Sequence, residues 1–192
     1  ASITTGDIDN GSADNCGTPT LDLDITSFTC ADIGANNVTL TATDGSSNTA
    51  SCNATVTVMD TVSPSAVCQN INAYLDGTGN VTINAADVDG GSTDNCAVSG
   101  SSIDVSAFTC ANLGANSVNL TVNDASGNSD VCMATVTVLD TVSPTAACQN
   151  ITVYLDGTGN ATITAGDIDN GSTDNCGSVS LALDITSFNC AN

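Results

Sequence analysis

A ten-residue stretch and its period constrain this chain more than any other feature. It reads DIDNGSADNC from Asp7 to Cys16, DVDGGSTDNC from Asp87 to Cys96 and DIDNGSTDNC from Asp167 to Cys176, each copy 80 residues after the last. The surrounding sequence repeats with it, since 61–112 and 141–192 share 32 identities over 52 positions with no insertion or deletion. Such a period is the signature of an array built from one structural unit. The linker TVSP that follows Asp60 and Asp140 places Pro64 and Pro144 where they interrupt a strand. It divides the chain into a unit over 1–60 lacking its start, a complete unit over 61–140 and a unit over 141–192 lacking its end. The chain is therefore expected to be an internal window of a longer array.

The acidic residues narrow the chemistry. All 21 are Asp, and the 192-residue chain contains no Glu, Lys, Arg, His or Trp. The commonest helix formers of solvent-facing positions are missing, while Val, Thr, Ile, Asn and Gly abound, which favours strands and tight turns over helix. A formal charge of -21 without a cationic side chain leaves no side-chain salt bridge to form and disfavours nucleic acid or an anionic membrane as partner. Neutralisation then falls to cations from solution, although net charge alone also keeps a secreted protein soluble. Only 11% of residues are charged and 41% are hydrophobic, and the apolar ones alternate, which separates this composition from disorder.

The complete copy reads as a succession of short strands. Ala66–Leu75 is a first strand, Asp76-Gly77-Thr78-Gly79 a hairpin turn and Val81–Ala86 the return strand. A third strand follows the acidic stretch and is clearest in the last copy, where Val179, Leu181, Leu183 and Ile185 alternate with polar or small residues. Val118, Leu120 and Val122 mark the next strand. Asp124 to Asn128 turns the chain, and Cys132, Ala134, Val136 and Val138 share one side of the last strand. Six or seven strands in about 80 residues point to an all-β, tandem immunoglobulin-like antiparallel β-sandwich, with a small barrel as the alternative. One Phe and one Tyr per full repeat give a modest core, so covalent or metal staples are expected.

Ten cysteines with no His and no CxxC pair fit disulfides formed outside the cytoplasm better than zinc or redox chemistry. The four in the full copy allow three connectivities. The scheme preferred on loop length joins Cys96 to Cys110 and Cys68 to Cys132, with Cys16 to Cys30 and Cys176 to Cys190 by repetition. It sends Cys52 and Cys148 to partners outside the window. A rival scheme joins Cys52 to Cys68 and Cys132 to Cys148 across the linkers.

In the sandwich topology the acidic loop and the Asp124–Asn128 turn share the pole at which the chain enters the domain. That pole gathers Asp87, Asp89, Asp94, Asp124 and Asn128 with Asp60 of the preceding linker. The counterparts are Asp7, Asp9, Asp14 and Asp44 in the first copy and Asp140, Asp167, Asp169 and Asp174 in the last. Hard oxygen ligands converging from separate loops match calcium, whereas magnesium would retain more water. Crowded carboxylates call for a cation, but Asp, Asn and Gly are also good turn residues without one. The stretch is not an EF-hand, having Gly at its fifth position and no Glu at its twelfth.

TDNC, then DASGN, then a cysteine leading into ATVTV resembles the hyalin repeat family, in particular the hyalin-like repeats of giant surface adhesins and filaments of marine and gliding bacteria. The resemblance covers every repeat and implies an immunoglobulin-like fold with a role in extracellular adhesion or spacing. The chain departs from that pattern in its single Pro after the linker Asp and in the extra cysteine at Cys110. Within the same resemblance, Asp-Thr-Val at Thr61 and Thr141 is similar to an O-glycosylation acceptor.

Three classes of function compete. The leading expectation is a structural repeat of an extracellular filament or cell-surface adhesin stalk, stiffened by Ca2+ at domain junctions and by disulfides, whose partners are adjacent repeats and identical chains. A glycan- or ice-binding module is the alternative; absent Trp and scarce aromatics argue against sugar stacking, and Thr55, Thr57, Thr135 and Thr137 read as solvent faces of strands. An enzyme is disfavoured, because only Asp remains to act as acid or base and its clusters recur in every repeat.

Overall fold

The computed structural model describes residues 1–191 and is mostly β. Contacts divide the chain into two compact units. One comprises Ala1–Ser65, Thr93–Gly100 and Asn123–Asp130; the other comprises Ala66–Ser92, Ser101–Val122 and the chain from Val131 onward.

In the first unit, strands β1 (Thr20–Leu23), β2 (Gly34–Thr43) and β3 (Thr49–Val58) form an antiparallel sheet in that order. Leu23 faces Leu40 across β1 and β2, and Gly34 to Thr43 pairs with Val58 to Thr49 without a break. Alternation sends Val38 and Leu40 inward, where they close a small core with Leu23 and Phe28. The β2–β3 turn runs from Asp44 to Asn48. Ser47 takes a positive φ of 69° there, the one non-glycine residue to do so among those described. Its counterpart in the next copy is Gly127, with φ 91°.

The second unit contains β4 (Ile71–Tyr74), most of β9 (Ser129–Leu139) and β8 (Gly114–Asp124) and the second half of β6 (Val98–Ile103), strands that form a sheet in that order, with β4 parallel to β9. A second pairing joins β5 (Asn80–Thr82) to β7 (Ala107–Thr109), and Val81 faces Phe108. Val118, Leu120 and Val122 alternate on β8 and Ala134, Val136 and Val138 on β9. All six are buried with Ala73, Leu75, Val88 and Phe108. The last copy repeats the short pairing as β10 (Asn160–Thr162) with β11 (Ser187–Asn189).

Three strand expectations need correction. The first strand predicted over Ala66–Leu75 forms only over Ile71–Tyr74, because 66–70 is held to the acidic loop by an isolated pairing of Cys68 with Asp89 and a Gln69 N to Val88 O bond instead of a continuous ladder. The return strand predicted over Val81–Ala86 stops at Thr82, and Ala85–Val88 forms one helical turn, α2, like Thr5–Ile8 (α1) and Ala165–Ile168 (α3). A four-residue helix has little stability of its own. Here an Asp three residues into the turn caps its start, and Val88 is fully buried beneath it. The strand predicted over the alternating segment from Val179 to Ile185 is absent, although its counterpart β6 is present. β6 is held by β8, which has no 80-residue counterpart within these 192 residues; alternation alone does not order a strand that lacks a neighbour.

The disulfides agree with the sequence scheme at one position and depart from it at the others. Cys68–Cys132 forms as expected, with Cα atoms 5.7 Å apart. Cys96 does not pair with Cys110. It pairs with Cys30, and Cys110 pairs with Cys176, at Cα separations of 5.3 and 5.1 Å and a sequence separation of 66 in both cases. Cys16 and Cys190 are free, as are Cys52 and Cys148, so the scheme spanning the linkers is not adopted. The cause lies in the loops. Register in β5–β7 places Thr109 opposite Asn80, which leaves Cys110 beside Gly79 and the Asn175–Cys176 peptide, while Asn95 and Cys96 lie against Asp60 and Cys30. Each bridge thus joins one copy of the repeat to the next, yet each lies inside a single compact unit. Closing a loop of this length removes roughly 4 kcal/mol of denatured-state freedom in the chain-entropy estimate. Three such bridges indicate an oxidising compartment.

Candidate metal centre

Three carboxylates converge in the first unit. Asp60 follows the end of β3, Asp94 sits in the TDNC turn and Asp124 closes β8; one oxygen of each lies within 4.8 Å of the other two. Short-range chemistry fixes every member. Asp94 Oδ2 accepts the backbone N–H groups of Cys96 at 2.9 Å and Ala97 at 3.0 Å. Asp60 Oδ1 accepts Val62 N at 3.1 Å and Asn95 Nδ2 at 3.2 Å. Asp124 Oδ1 accepts Ser126 N and Asn128 N at 2.9 and 2.7 Å, and its Oδ2 accepts Asn128 Nδ2. The same Asn128 amide reaches Asp60 O at 3.1 Å, tying the turn to the linker.

These bonds leave a specific deficit. Asp60 Oδ2 and Asp94 Oδ1 are buried without any hydrogen-bond partner. Buried oxygens of that kind are costly unless something cationic or a donor meets them. The chain has no Lys, Arg or His to supply it, and its terminal amine is engaged with Phe28 O at 2.8 Å. Burial pushes the Asp124 carboxyl up, but the Asn128 side chain and backbone donors outweigh it, and the group is held below its ordinary value. The arrangement is a set of hard oxygen atoms that could hold a metal ion.

The structure separates the expected ligands into two groups. Asp60, Asp94 and Asp124 come together, with Asn128 bracing two of them. Asp87 and Asp89 serve their own loop instead. Asp87 Oδ2 accepts Asn84 N at 2.7 Å as a helix cap. Asp89 Oδ1 accepts Ser92 N and Oγ at 2.9 and 2.7 Å, and these bonds hold its carboxyl below the usual range. The first and third copies repeat the division. Asp7 and Asp167 cap through Thr4 and Thr164, and Asp9 and Asp169 accept from Ser12 and Ser172. The first and third Asp of the stretch, expected among the calcium ligands, are thus engaged in capping and turning.

Partial versions of the centre occupy the other copies. Asp140 Oδ1 accepts Val142 N and Asn175 Nδ2 at 3.0 and 3.1 Å, and Asp174 Oδ1 and Asn175 Oδ1 are buried without partners. Asp14 Oδ2 accepts Cys16 N, while Asp44 holds its own turn through Ser46 and Asn48. Sequence reading missed Asn95 and Asn175, whose amides link linker to loop. Their signal was the invariable D-N-C tripeptide in all three copies.

No family model and no curated protein matches the chain. No helix is long and apolar enough to cross a membrane among the described residues.

Proposed function

We propose that the chain is part of an extracellular filament or cell-surface stalk of immunoglobulin-like repeats, in which calcium at the Asp60–Asp94–Asp124 centre sets the geometry between one repeat and the next. The observation that carries this reading is the pair of buried, unpartnered oxygens on Asp60 and Asp94, one from a linker and the other from the next repeat's loop. An ion bound there would tie the two together. The parallel β4–β9 edge, the β9-β8-β6 order and the separate β5–β7 pair support an immunoglobulin-like sandwich. Disulfides that step from copy to copy support a mechanical role, and a repeated cluster with only Asp for acid–base work supports architecture over catalysis. Calcium is favoured over magnesium because the ligands are carboxylates converging from three separate segments.

Calorimetric titration of the purified full chain with calcium, alongside hydrogen exchange in calcium and in chelator, tests the reading. Saturable binding with protection of 93–97 and 124–128 is the expected result. No heat and identical exchange in both conditions would sink it.

A further inference from the structure

The loop that carries Asp94 is held at both of its ends. Thr93 and Ser65 exchange backbone bonds, Ser65 N to Thr93 O at 2.7 Å and Thr93 N to Ser65 O at 3.1 Å. Three residues on, Cys96 is bonded to Cys30. Only Asp94 and Asn95 lie between these tethers, and both serve the carboxylate cluster. Asp94 supplies one of its oxygens, and Asn95 donates Nδ2 to Asp60 Oδ1 at 3.2 Å.

The bridge also touches Asn95 directly. Cys30 Sγ lies 3.6 Å from Asn95 O, and Asn95 Nδ2 lies 3.6 Å from Cys96 Sγ. On its far side the bridge is anchored. Cys30 opens a 3₁₀ turn whose start is capped by Thr29 and Asp32, and Phe28 is buried in the core of the first unit. Cys96 N donates to Asp94 Oδ2, so the place of Cys96 fixes which Asp94 oxygen is engaged and which is left over. The second unit repeats the clamp. Cys110 Sγ lies 3.2 Å from Asn175 O, Asn175 Nδ2 donates to Asp140 Oδ1 at 3.1 Å, and Thr145 and Thr173 exchange backbone bonds. The arrangement is thus a recurring part of the contact between a linker and the loop that follows it.

We propose that the Cys30–Cys96 bridge is a positioning element of the cation centre, so that calcium affinity and the resistance of this bridge to reduction are coupled. The inference rests on the calcium reading above and adds its regulation. A dithiol such as dithiothreitol gives the bridge two electrons and two protons, leaving thiols at Cys30 and Cys96, and is itself oxidised to a cyclic disulfide. Asp94 and Asn95 then lose one of their two tethers, and the cation must order them. Loss of an outer group that orients metal ligands lowers affinity by roughly 10- to 100-fold. Linkage is reciprocal, so saturating calcium should lower the reduction potential of this bridge by about 30 to 60 mV, at about 30 mV per tenfold.

The test uses the full chain with its free cysteines removed as Cys16→Ser, Cys52→Ser, Cys148→Ser and Cys190→Ser. This parent is compared with variants that add Cys30→Ser with Cys96→Ser, or Cys68→Ser with Cys132→Ser. Calorimetry reads calcium affinity, and hydrogen exchange over β2 checks that the first unit is folded. Thiol alkylation in dithiothreitol redox buffers, with and without calcium, reads the potentials of both bridges in the parent and needs no variant to fold. Affinity should fall by the stated factor without Cys30–Cys96 and stay unchanged without Cys68–Cys132, and calcium should lower the potential of Cys30–Cys96 alone of the two. A parent that binds no calcium would overturn the calcium reading and this inference with it. A parent that binds, with equal affinity in the Cys30–Cys96 variant, equal loss in both variants or a Cys30–Cys96 potential indifferent to calcium, would overturn the coupling alone.

Discussion

Asp94→Asn should change the sign of its effect on stability according to whether calcium is present. The amide oxygen can still accept Cys96 N and Ala97 N, while the NH2 replaces the unpartnered Oδ1. Two charges 4.8 Å apart, the limit within which these ligand oxygens lie, repel by about 3.5 kcal/mol at an effective dielectric of ~20. Salt and partial exposure reduce this, so relief of the Asp60–Asp94 repulsion should stabilise the cation-free first unit by roughly 1 to 3 kcal/mol. With calcium at a hundred times its Kd, the parent protein gains about 2.7 kcal/mol that the variant forgoes. The variant should therefore exchange amide hydrogens over 93–100 more slowly than the parent in chelator and faster in calcium. Hydrogen exchange read by mass spectrometry resolves this unit from the other. A variant destabilised equally in both conditions would show that Asp94 acts only as a turn residue.

Four further outcomes follow from particular contacts. Ser47→Gly should raise stability by about 1 kcal/mol in thermal melts, because it relieves a left-handed residue that the next copy fills with Gly127. Gly79→Ala should do the reverse: its Cβ would meet Cys110 Sγ at 2.6 Å and Asn175 O at 2.9 Å, and non-reducing peptide maps should show a reduced yield of Cys110–Cys176. Leu120→Ala empties a fully buried position and should cost about 2 to 5 kcal/mol in denaturant unfolding. Acid should unfold the protein through its capping carboxylates. Asp89 and Asp167 are held below their ordinary values by hydrogen bonds from Ser92 and Thr164. A depressed folded pKa contributes stability that is complete above the unfolded value near 3.9 and is lost as pH falls through the folded one. Asp89→Asn should accordingly flatten the pH dependence below about pH 4.

Much of the strand pattern was legible because period-two alternation reports burial directly. Val118, Leu120 and Val122, and Ala134, Val136 and Val138, are buried where alternation put them. What was not legible depended on neighbours. The segment around Val179 has the same alternation as a strand but no partner, and no property of a strand's own residues reports whether another strand lies beside it. The cysteines posed the same problem. Loop length favoured closing Cys96 on Cys110 within a repeat, whereas the fold uses each to reach an adjacent repeat, a choice that short-range sequence cannot encode.

The metal centre shows how one residue type divides its labour. Asp was legible as a turn former and as a metal ligand; the turn reading holds at Asp87 and Asp89, while Asp94, at another position of the same ten-residue stretch, is one of the three carboxylates that could hold an ion. A carboxylate that meets nearby N–H and hydroxyl donors through one oxygen and leaves no buried oxygen unpartnered, as Asp89 does through Oδ1 with Ser92, is committed to its loop. Asp94 spends only one oxygen on its turn, and the other is buried and left over. The donors that separate these cases follow each Asp closely: Gly-Gly-Ser after Asp89 supplies donors to one oxygen, and Asn-Cys-Ala after Asp94 does the same while aiming the second oxygen at the linker. Since the chain lacks any cationic side chain, that second oxygen has no internal remedy. The composition and the geometry thus converge: in a protein without Lys, Arg or His, a carboxylate oxygen buried between a linker and a loop is met by no cationic side chain of its own.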